Sequence, residues 1–382
     1  TMASELQVNT ITEATSGSGI TFAKDIIPAT PLSHRNLIIN GAMQVSQRLA
    51  NDTLVQVTNA SYVSLDRWKT WENTDGTYQV KQKNITDLDG FTSSLYLSPN
   101  SADTSIANSY YSLVGTTVEA QNIQHIGVGT ANAKAMTLSF YIKSNLTGTM
   151  NAYLAKYDNG TMVVPLEFDL PSSAGTWERK TLTVPAVTTG GVINNDSGLG
   201  FEVIWALTVG NTYRIGTNGT WGSSGNALST SNHNVNFMSS TSNYIELTGV
   251  QLELGSVATP FEHKSYGEEL QRCQRYYWRM PNNKYVLGII DGNGTYVAAQ
   301  FHHPVRMRAN PTAGLLHKGA FYFNPSGSGQ TNATPNGSTT GFSGGDEHGG
   351  LAFVSGSNNL GGLNNDQITG QWLCRWDFSA EL

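Results

Sequence analysis

Cysteine is almost missing from this chain. Two thiols, Cys273 and Cys374, stand in 382 residues, and no C-x-x-C occurs. A disulfide-rich scaffold and a thiolate zinc finger are thereby excluded. Each cysteine reads as a lone buried thiol; a single bridge between the two is the alternative. Charge is equally thin. Asp, Glu, Lys and Arg make up 13% of the residues, against roughly 25% in ordinary soluble domains. The net charge of −6 gives no general pull toward nucleic-acid phosphate or anionic lipid. No apolar run approaches the ~18 residues of a membrane span. The opening TMASELQVNTITEATSGSGI has neither a basic n-region nor an apolar core, so no signal peptide is expected. The chain also lacks a P-loop, an H-E-x-x-H, a Rossmann glycine pattern and a solenoid-length repeat.

What is abundant is Gly, Ser, Thr and Asn, with 10% aromatics. Many short strands joined by turns follow from that mixture, rather than a helix bundle or disorder. The pattern agrees. In AMTLSFYIKS, Leu138, Phe140 and Ile142 alternate against Thr137, Ser139 and Tyr141. TMNAYLAKYDNGTMVV reads as a strand, a turn at Asp158–Gly160 and a second strand. WERKTLTVPA is a further strand. GLGFEVIWALTVG places Phe201, Val203, Trp205, Leu207 and Val209 on one face. In SNYIELTGVQLELG, Ile245 and Leu247 give way to Val250, Leu252 and Leu254, and Gly249 shifts the phase as a bulge does. Residues 31–262 therefore read as a β-sandwich.

SYGEELQRCQRYYWRM, residues 265–280, breaks that pattern. Ser265 and Glu268 form a capping box. Tyr266, Leu270, Cys273 and Tyr277 make an apolar stripe at helical spacing. Glu268 is placed to pair with Arg272 four residues on, and Pro281 is placed to end the helix. Residues 282–382 return to β. KYVLGIIDGNGTYVAAQF reads as a hairpin, residues 324–350 as a long Gly/Ser/Asn loop, and Trp372, Cys374, Trp376 and Phe378 as one face of a core strand.

Candidate chemistry is sparse. GFSGG at 341–345 matches G-x-S-x-G, with Asp346 and His348 following, but it lacks the strand-then-helix setting of a nucleophile elbow. DGNGT at 291–295 departs from a calcium loop, because position twelve is His302. His302 and His303 are strand neighbours facing opposite ways. Asp346, Glu347 and His348 suit a cation or a sugar, and suit a solvated loop tip better. The Arg, Tyr and Trp of the helix are offset by Glu268 and Glu269, which weakens a nucleic-acid reading.

Six stretches resemble one family. NLIINGAMQVSQR (36–48), YVSLDRW (62–68) and VQLELGSVATPFEHKSYGEELQRCQRYY (250–277) look like the start and end of a domain common in bacteriophage tail-fibre proteins. HPVRMRANPT (303–312) and the terminal FSAEL are similar to the distal domain of such proteins, and ASELQVNTITEATSGSGITF (3–22) to fibre openings in phages of marine and cyanobacterial hosts. The stretch 250–277 is the most specific.

The resemblance implies a mainly β chain of four parts. These are a virion-attachment and oligomerisation arm (1–30), a jelly-roll sandwich like those of carbohydrate-binding modules (31–262), a connecting helix (263–281) and a distal C-terminal β domain (282–382). It implies a fibre-like homotrimer in the virion, assembled in the bacterial cytoplasm. The arm would meet other tail or virion proteins, and the chain would bind host surface polysaccharide during adsorption. It would be no enzyme, with no metal, cofactor, nucleic-acid partner or membrane insertion. A capsid or tail decoration fibre is one alternative. A polysaccharide depolymerase tailspike is another, although the repeats of a long parallel β-helix are missing. Sugar binding needs aromatic platforms edged by polar groups, and the loop-placed candidates are Trp221, Tyr322, Phe342, Asp346 and His348. Tyr266, Leu270, Cys273 and Tyr277 are expected at a domain or trimer interface.

Overall fold

The computed structural model describes residues 34–280 without a break. Beyond them it describes 284–290, 296–317, 321–323, 331–333, 335–356, 367–372 and 375–382. The expected N-terminal arm, the turn at 291–295 and Cys374 lie outside the described residues.

The molecule is mainly β, with antiparallel sheets throughout. One six-stranded sheet runs β1 (Val55–Gln56), β3 (Thr77–Asn84), β4 (Ser93–Ser101), β11 (Ile245–Leu254), β6 (Met136–Ser144) and β9 (Glu178–Val184). A five-stranded sheet runs β2 (Trp68–Asn73), β5 (Tyr111–Glu119), β10 (Leu199–Val209), β7 (Thr149–Lys156) and β8 (Met162–Asp169). One apolar core fills the space between them. Tyr78, Leu97, Leu138, Phe140, Ile142 and Leu247 come from the first sheet, and Trp68, Val114, Phe201, Val203, Trp205 and Leu154 from the second. Trp205 sits at its centre, 5.2 Å from the Phe140 ring and 5.8 Å from Trp68. Two-residue alternation puts these side chains inside, so the expected sandwich is present.

Two irregularities refine the strand reading. The bulge at Gly249 is real. The register with β6 shifts between Thr248 and Gln251, and Gly249 has φ 60°. A Cβ there would lie 2.8 Å from both Phe91 and Tyr141, so glycine is required twice over. In β10, a second register shift between Ala206 and Thr208 turns Val209 to the opposite face from Phe201, Val203, Trp205 and Leu207. The single-face reading of that strand therefore fails at its last residue.

The helix is shorter than its sequence pattern predicts. α1 covers Tyr266–Gln274, with the Ser265 hydroxyl accepting from the Glu268 amide at 3.3 Å. It does not reach Pro281. Tyr277–Arg279 instead form strand β12, paired with β21 (Arg375–Ser379). The Tyr-Tyr-Trp run has strong β propensity, and a waiting edge decides the outcome. The Glu268–Arg272 pair is also replaced. Lys264 lies 3.6 Å from Glu268, and Arg272 turns to Glu269 at 3.7 Å.

Past α1, β12 and β21 join β15 (Thr312–His317) in a three-stranded sheet. A seven-stranded sheet contains β13 (Lys284–Ile290), β14 (Tyr296–His302), β16 (Phe321–Phe323), β17 (Thr331–Ala333), β18 (Pro335–Asp346), β19 (Gly349–Gly356) and β20 (Gln367–Trp372). The described part of the stretch expected as a loop at 324–350, residues 331–333 and 335–350, is strand apart from one turn: β18 and β19 pair through a tight turn at 347–348. Backbone pairing supplies that order without an apolar pattern to announce it. The expected C-terminal core strand is likewise two strands, since Trp372 ends β20 and Trp376 and Phe378 belong to β21 in another sheet.

Candidate functional site

The outer face of the five-stranded sheet has two unlike ends. At one end the stretches that carried the family resemblance converge. Asn40, fully buried with φ 60°, accepts from the Val45 amide and donates to the carbonyls of Val45 and Asp66. Its own amide donates to the Glu269 carboxylate of α1. Asn36 bridges Ile38, Val250 and Leu252 in the same way. Arg48 lies 3.1 Å from Asp66 and 2.9 Å from Glu381, and Arg67 pairs with the other Glu381 oxygen. Arg67 also donates to the carbonyl and hydroxyl of Thr117, and its guanidinium lies 3.6 Å over the Tyr276 ring. Tyr276 and Arg275 both bind Glu119. Arg308 donates to the carbonyls of Ser197, Ala380 and Glu381, and Tyr62 to that of Leu382.

This is a joint, built from scarce charges that are almost all matched. Burial pushes the Asp66 carboxyl up to about 6, against the pull of Arg48 and Gln47. Burial also pushes the Cys273 thiol well up, so this free cysteine is an inert packing residue. It clusters with Ile39, Val45 and Tyr276, with Leu270 and Leu382 packed alongside. Of the four predicted interface residues, Cys273 and Tyr277 are buried within the chain and Leu270 is half-buried, while Tyr266 is 58% exposed. Tyr276 is the residue the helical stripe missed.

The other end of the same face is aromatic and opens at its margin, while its central side chains Leu113, Tyr153, Ile204 and Ala206 are buried. Outward side chains form rows across the sheet: Trp71, Leu113, Ala206 and Asn151, then Lys69, Gly115, Ile204 and Tyr153, and last Thr117, Glu202 and Ala155, where the face meets the joint at Thr117. Trp71, Tyr111 and Tyr213 pack at the margin of a small apolar cluster formed by Leu113, Tyr153, Ile204 and Leu228, and stay half-exposed. Tyr111 and Tyr213 meet edge to face at 5.5 Å. Lys69 lies 5.1 Å above the Trp71 ring and 5.7 Å from that of Tyr62. Tyr157, 42% exposed, donates to Glu202 at 2.9 Å. Burial raises the Glu202 carboxyl, with Tyr157 and Lys69 opposing. Gly115 is buried in close packing between Lys69 and Ile204: a Cβ there would lie 2.5 Å from the Val203 carbonyl and 2.6 Å from the Ile204 side chain.

The residues predicted for sugar contact fall elsewhere. Trp221 is half-buried against the core, stacks at 6.4 Å on Phe201 and donates its indole N–H to Pro185. Tyr322 and Phe342, placed on loops by the sequence reading, belong to β16 and β18, and their side chains lie outside the described residues. Asp346 and His348 are exposed and adjacent. The Asp346 carboxylate accepts from the amides of His348 and Gly349, which closes the β18–β19 turn and holds its pKa low. Among the described residues no hydrogen bond or ring contact joins Trp221 to this turn, and no group of three His, Cys, Asp or Glu is placed to hold a metal ion. Trp71 and Glu202 had a signal in the sequence: the outward positions of WKTWEN and EVIWAL combine an aromatic and a carboxylate with apolar neighbours.

No family model and no curated protein matches the chain. Solved structures share parts of its shape. The enzymatically active domain of tailspike protein 4 of bacteriophage CBA120 is similar at 15% identity and a TM-score of 0.31, covering 58% of this chain and 21% of that one. This chain therefore spans about a fifth of that tailspike domain. A carbohydrate-binding module of family 4 is similar at 14% identity and a TM-score of 0.28, covering 56% of this chain and 98% of the module. A family 11 module from Clostridium thermocellum, solved with a mixed-linked tetrasaccharide, is similar at 9% identity and a TM-score of 0.27, covering 55% and 98%.

Proposed function

We propose that this chain is a non-enzymatic fibre protein of a phage virion that binds polysaccharide on the host surface, and that it does so through the open end of the five-stranded sheet. One observation carries the binding: along one sheet face, Trp71, Tyr111 and Tyr213 stand half-exposed at one side, Tyr157 stands exposed beside Glu202 at the other, and Lys69 lies over the Trp71 ring. Pyranose rings have apolar C–H faces that pack on aromatic rings, and hydroxyl edges that need donors and acceptors beside those rings. Glu202 offers acceptors and Lys69 donors. Trp71 and Tyr111 are held by strands, so little order is lost at those two rings when a sugar binds.

The homotrimer, the N-terminal virion attachment and the tail-fibre role rest on the resemblance of residues 36–48, 62–68 and 250–277 to tail-fibre proteins. In this reading no cofactor takes part.

The test is binding of the purified chain to a panel of bacterial surface polysaccharides, beside a Trp71→Ala variant. Selective retention on one or a few glycans, lost in the variant, is expected. Equal retention of both proteins on every glycan overturns the proposed face. Release of reducing ends from a bound polysaccharide overturns the non-enzymatic assignment.

A further inference from the structure

A separate cavity of about 370 Å³ lies between α1, residues 34–39 and the 3-10 helix Ala120–Ile126. Lys264, Arg272, Arg275, His34, His125 and Asn122 line it, and among the described residues no Asp or Glu does. Leu37, Ile39 and Tyr276 supply an apolar wall. The carboxylates that balance these cations sit outside the lining. Lys264 lies 3.3 Å from Glu262 and 3.6 Å from Glu268, and Arg275 lies 2.6 Å from Glu119. Arg272 is different. Its nearest carboxylate, Glu269, is 3.7 Å from its buried Nη1, beyond hydrogen-bonding reach, and among the described residues its guanidinium makes no hydrogen bond. Glu269 cannot close in freely, because it already accepts from the Asn40 amide.

The guanidinium is half-buried at the cavity wall, so its accessible N–H groups are free to donate to a bound acceptor. The acceptor that suits it is a planar or tetrahedral acid group, which Arg binds with charge-assisted hydrogen bonds. The cavity is larger than one acid group, and its apolar wall asks for a ring or carbon skeleton beside the charge. We infer that this cavity is a binding site for an acidic sugar of one residue, its acid oxygens on Arg272 and Lys264 and its carbon face on Leu37 and Ile39. The inference stands apart from the aromatic face, which shares none of these residues.

Isothermal titration calorimetry on the full chain tests it with three probes: glucuronate, glucose 6-phosphate and neutral glucose. Saturable binding of glucuronate, glucose 6-phosphate or both is expected, with glucose at least ~10-fold weaker, and Arg272→Gln is expected to weaken the bound acid ~10-fold or more. Binding of one acid alone supports the site and identifies the acid group. Lys83→Gln, on the far sheet, should bind as the wild type does. If Arg272→Gln fails to fold, as its unfolding midpoint will show, Lys264→Gln carries the comparison. Acids that bind no better than glucose overturn the site. So does unchanged affinity in the folded variant.

Discussion

Strand β5 changes character along a single face. At Tyr111 and Leu113 that face meets half-exposed aromatics. Six residues on, at Thr117 and Glu119, it is sealed under Arg67, Arg275 and Tyr276. The backbone is the same and the pleat is the same. The difference is the cover, and each kind of cover places its own demand on the side chains. Buried charge is stable only when its partners are complete, so the sealed end gathers arginines, carboxylates and backbone carbonyls into one network. An open aromatic needs the opposite, one face packed and one face left for a ligand. A chain with 13% charged residues places several of its charges where they join elements.

The sealed end should break first and hardest. In Arg67→Met, Glu381 loses one of its two arginines and Thr117 loses both donors from Arg67. Removing one member of a buried pair costs about 3–5 kcal/mol, so the urea midpoint of the tryptophan-monitored transition should fall by a matching amount. A loss below about 1 kcal/mol would mean that the network is ornamental. A Trp71→Ala control at the open end should leave that midpoint nearly in place.

The open end has its own sensitivity, to pH. His233 is buried shortly after Leu228, which packs on the aromatic face, and burial with Arg214 nearby lowers its pKa to about 4. In the folded chain the ring stays neutral, while unfolded His takes up a proton below its ordinary value of 6.5. The unfolded state therefore binds more protons between those limits, and stability falls as pH drops from 6.5 toward 4, by up to about 3 kcal/mol. Asp66 acts in the opposite sense. Its raised pKa makes the folded state the stronger proton binder between 3.8 and about 6, so its contribution falls as pH rises. The useful measurement is then the difference between wild type and His233→Gln across this range. The variant should lose less stability on acidification. Parallel curves would remove His233 from the account.

How much of this was legible in the sequence depends on the kind of signal. The sandwich was, because Leu138, Phe140, Ile142 and Trp205 alternate with the pleat and the bulge announces itself at Gly249. The helix start was, because Ser265 caps locally. Its end was not: Tyr277–Arg279 become a strand through pairing with residues 377–379, roughly a hundred positions away. The strands at 331–333 and 335–346 were hidden for the same reason, since their order comes from backbone partners rather than side-chain pattern. The motifs that stood out, from Asn36 to Arg48 and at Phe378–Leu382, turned out to belong to the joint. The candidate binding residues Trp71 and Glu202 carry no motif, because a glycan platform is defined by which strands lie side by side.

Trp71→Ala sharpens the comparison from the binding side. The ring has Lys69 over it and Leu113 beside it in the neighbouring strand. Loss of one stacking platform at the centre of a site is worth about 1.4–2.8 kcal/mol, or roughly 10- to 100-fold in Kd. The matched change on the opposite sheet is Tyr96→Ala. That ring already stacks on Tyr244 at 5.9 Å beneath Lys81 and Lys83. Glycan affinity should stay within about two-fold there. Equal losses at both positions would mean that aromatic exposure alone does not mark the site.

The smallest effect within the chain is expected at Tyr266. It belongs to the helical stripe, yet it is 58% exposed while Cys273 below it is fully buried. A side chain this open contributes little to its own fold, so Tyr266→Ser should change the unfolding free energy by less than about 0.5 kcal/mol. Oligomeric state is a separate readout. If three copies meet along this helix, as the fibre reading proposes, the exposed ring is placed to be covered by a neighbour, and Tyr266→Ser should shift the trimer toward monomer in sedimentation analysis at unchanged monomer stability. A variant that stays trimeric would place the contact elsewhere and leave the stripe as a packing device of the joint alone.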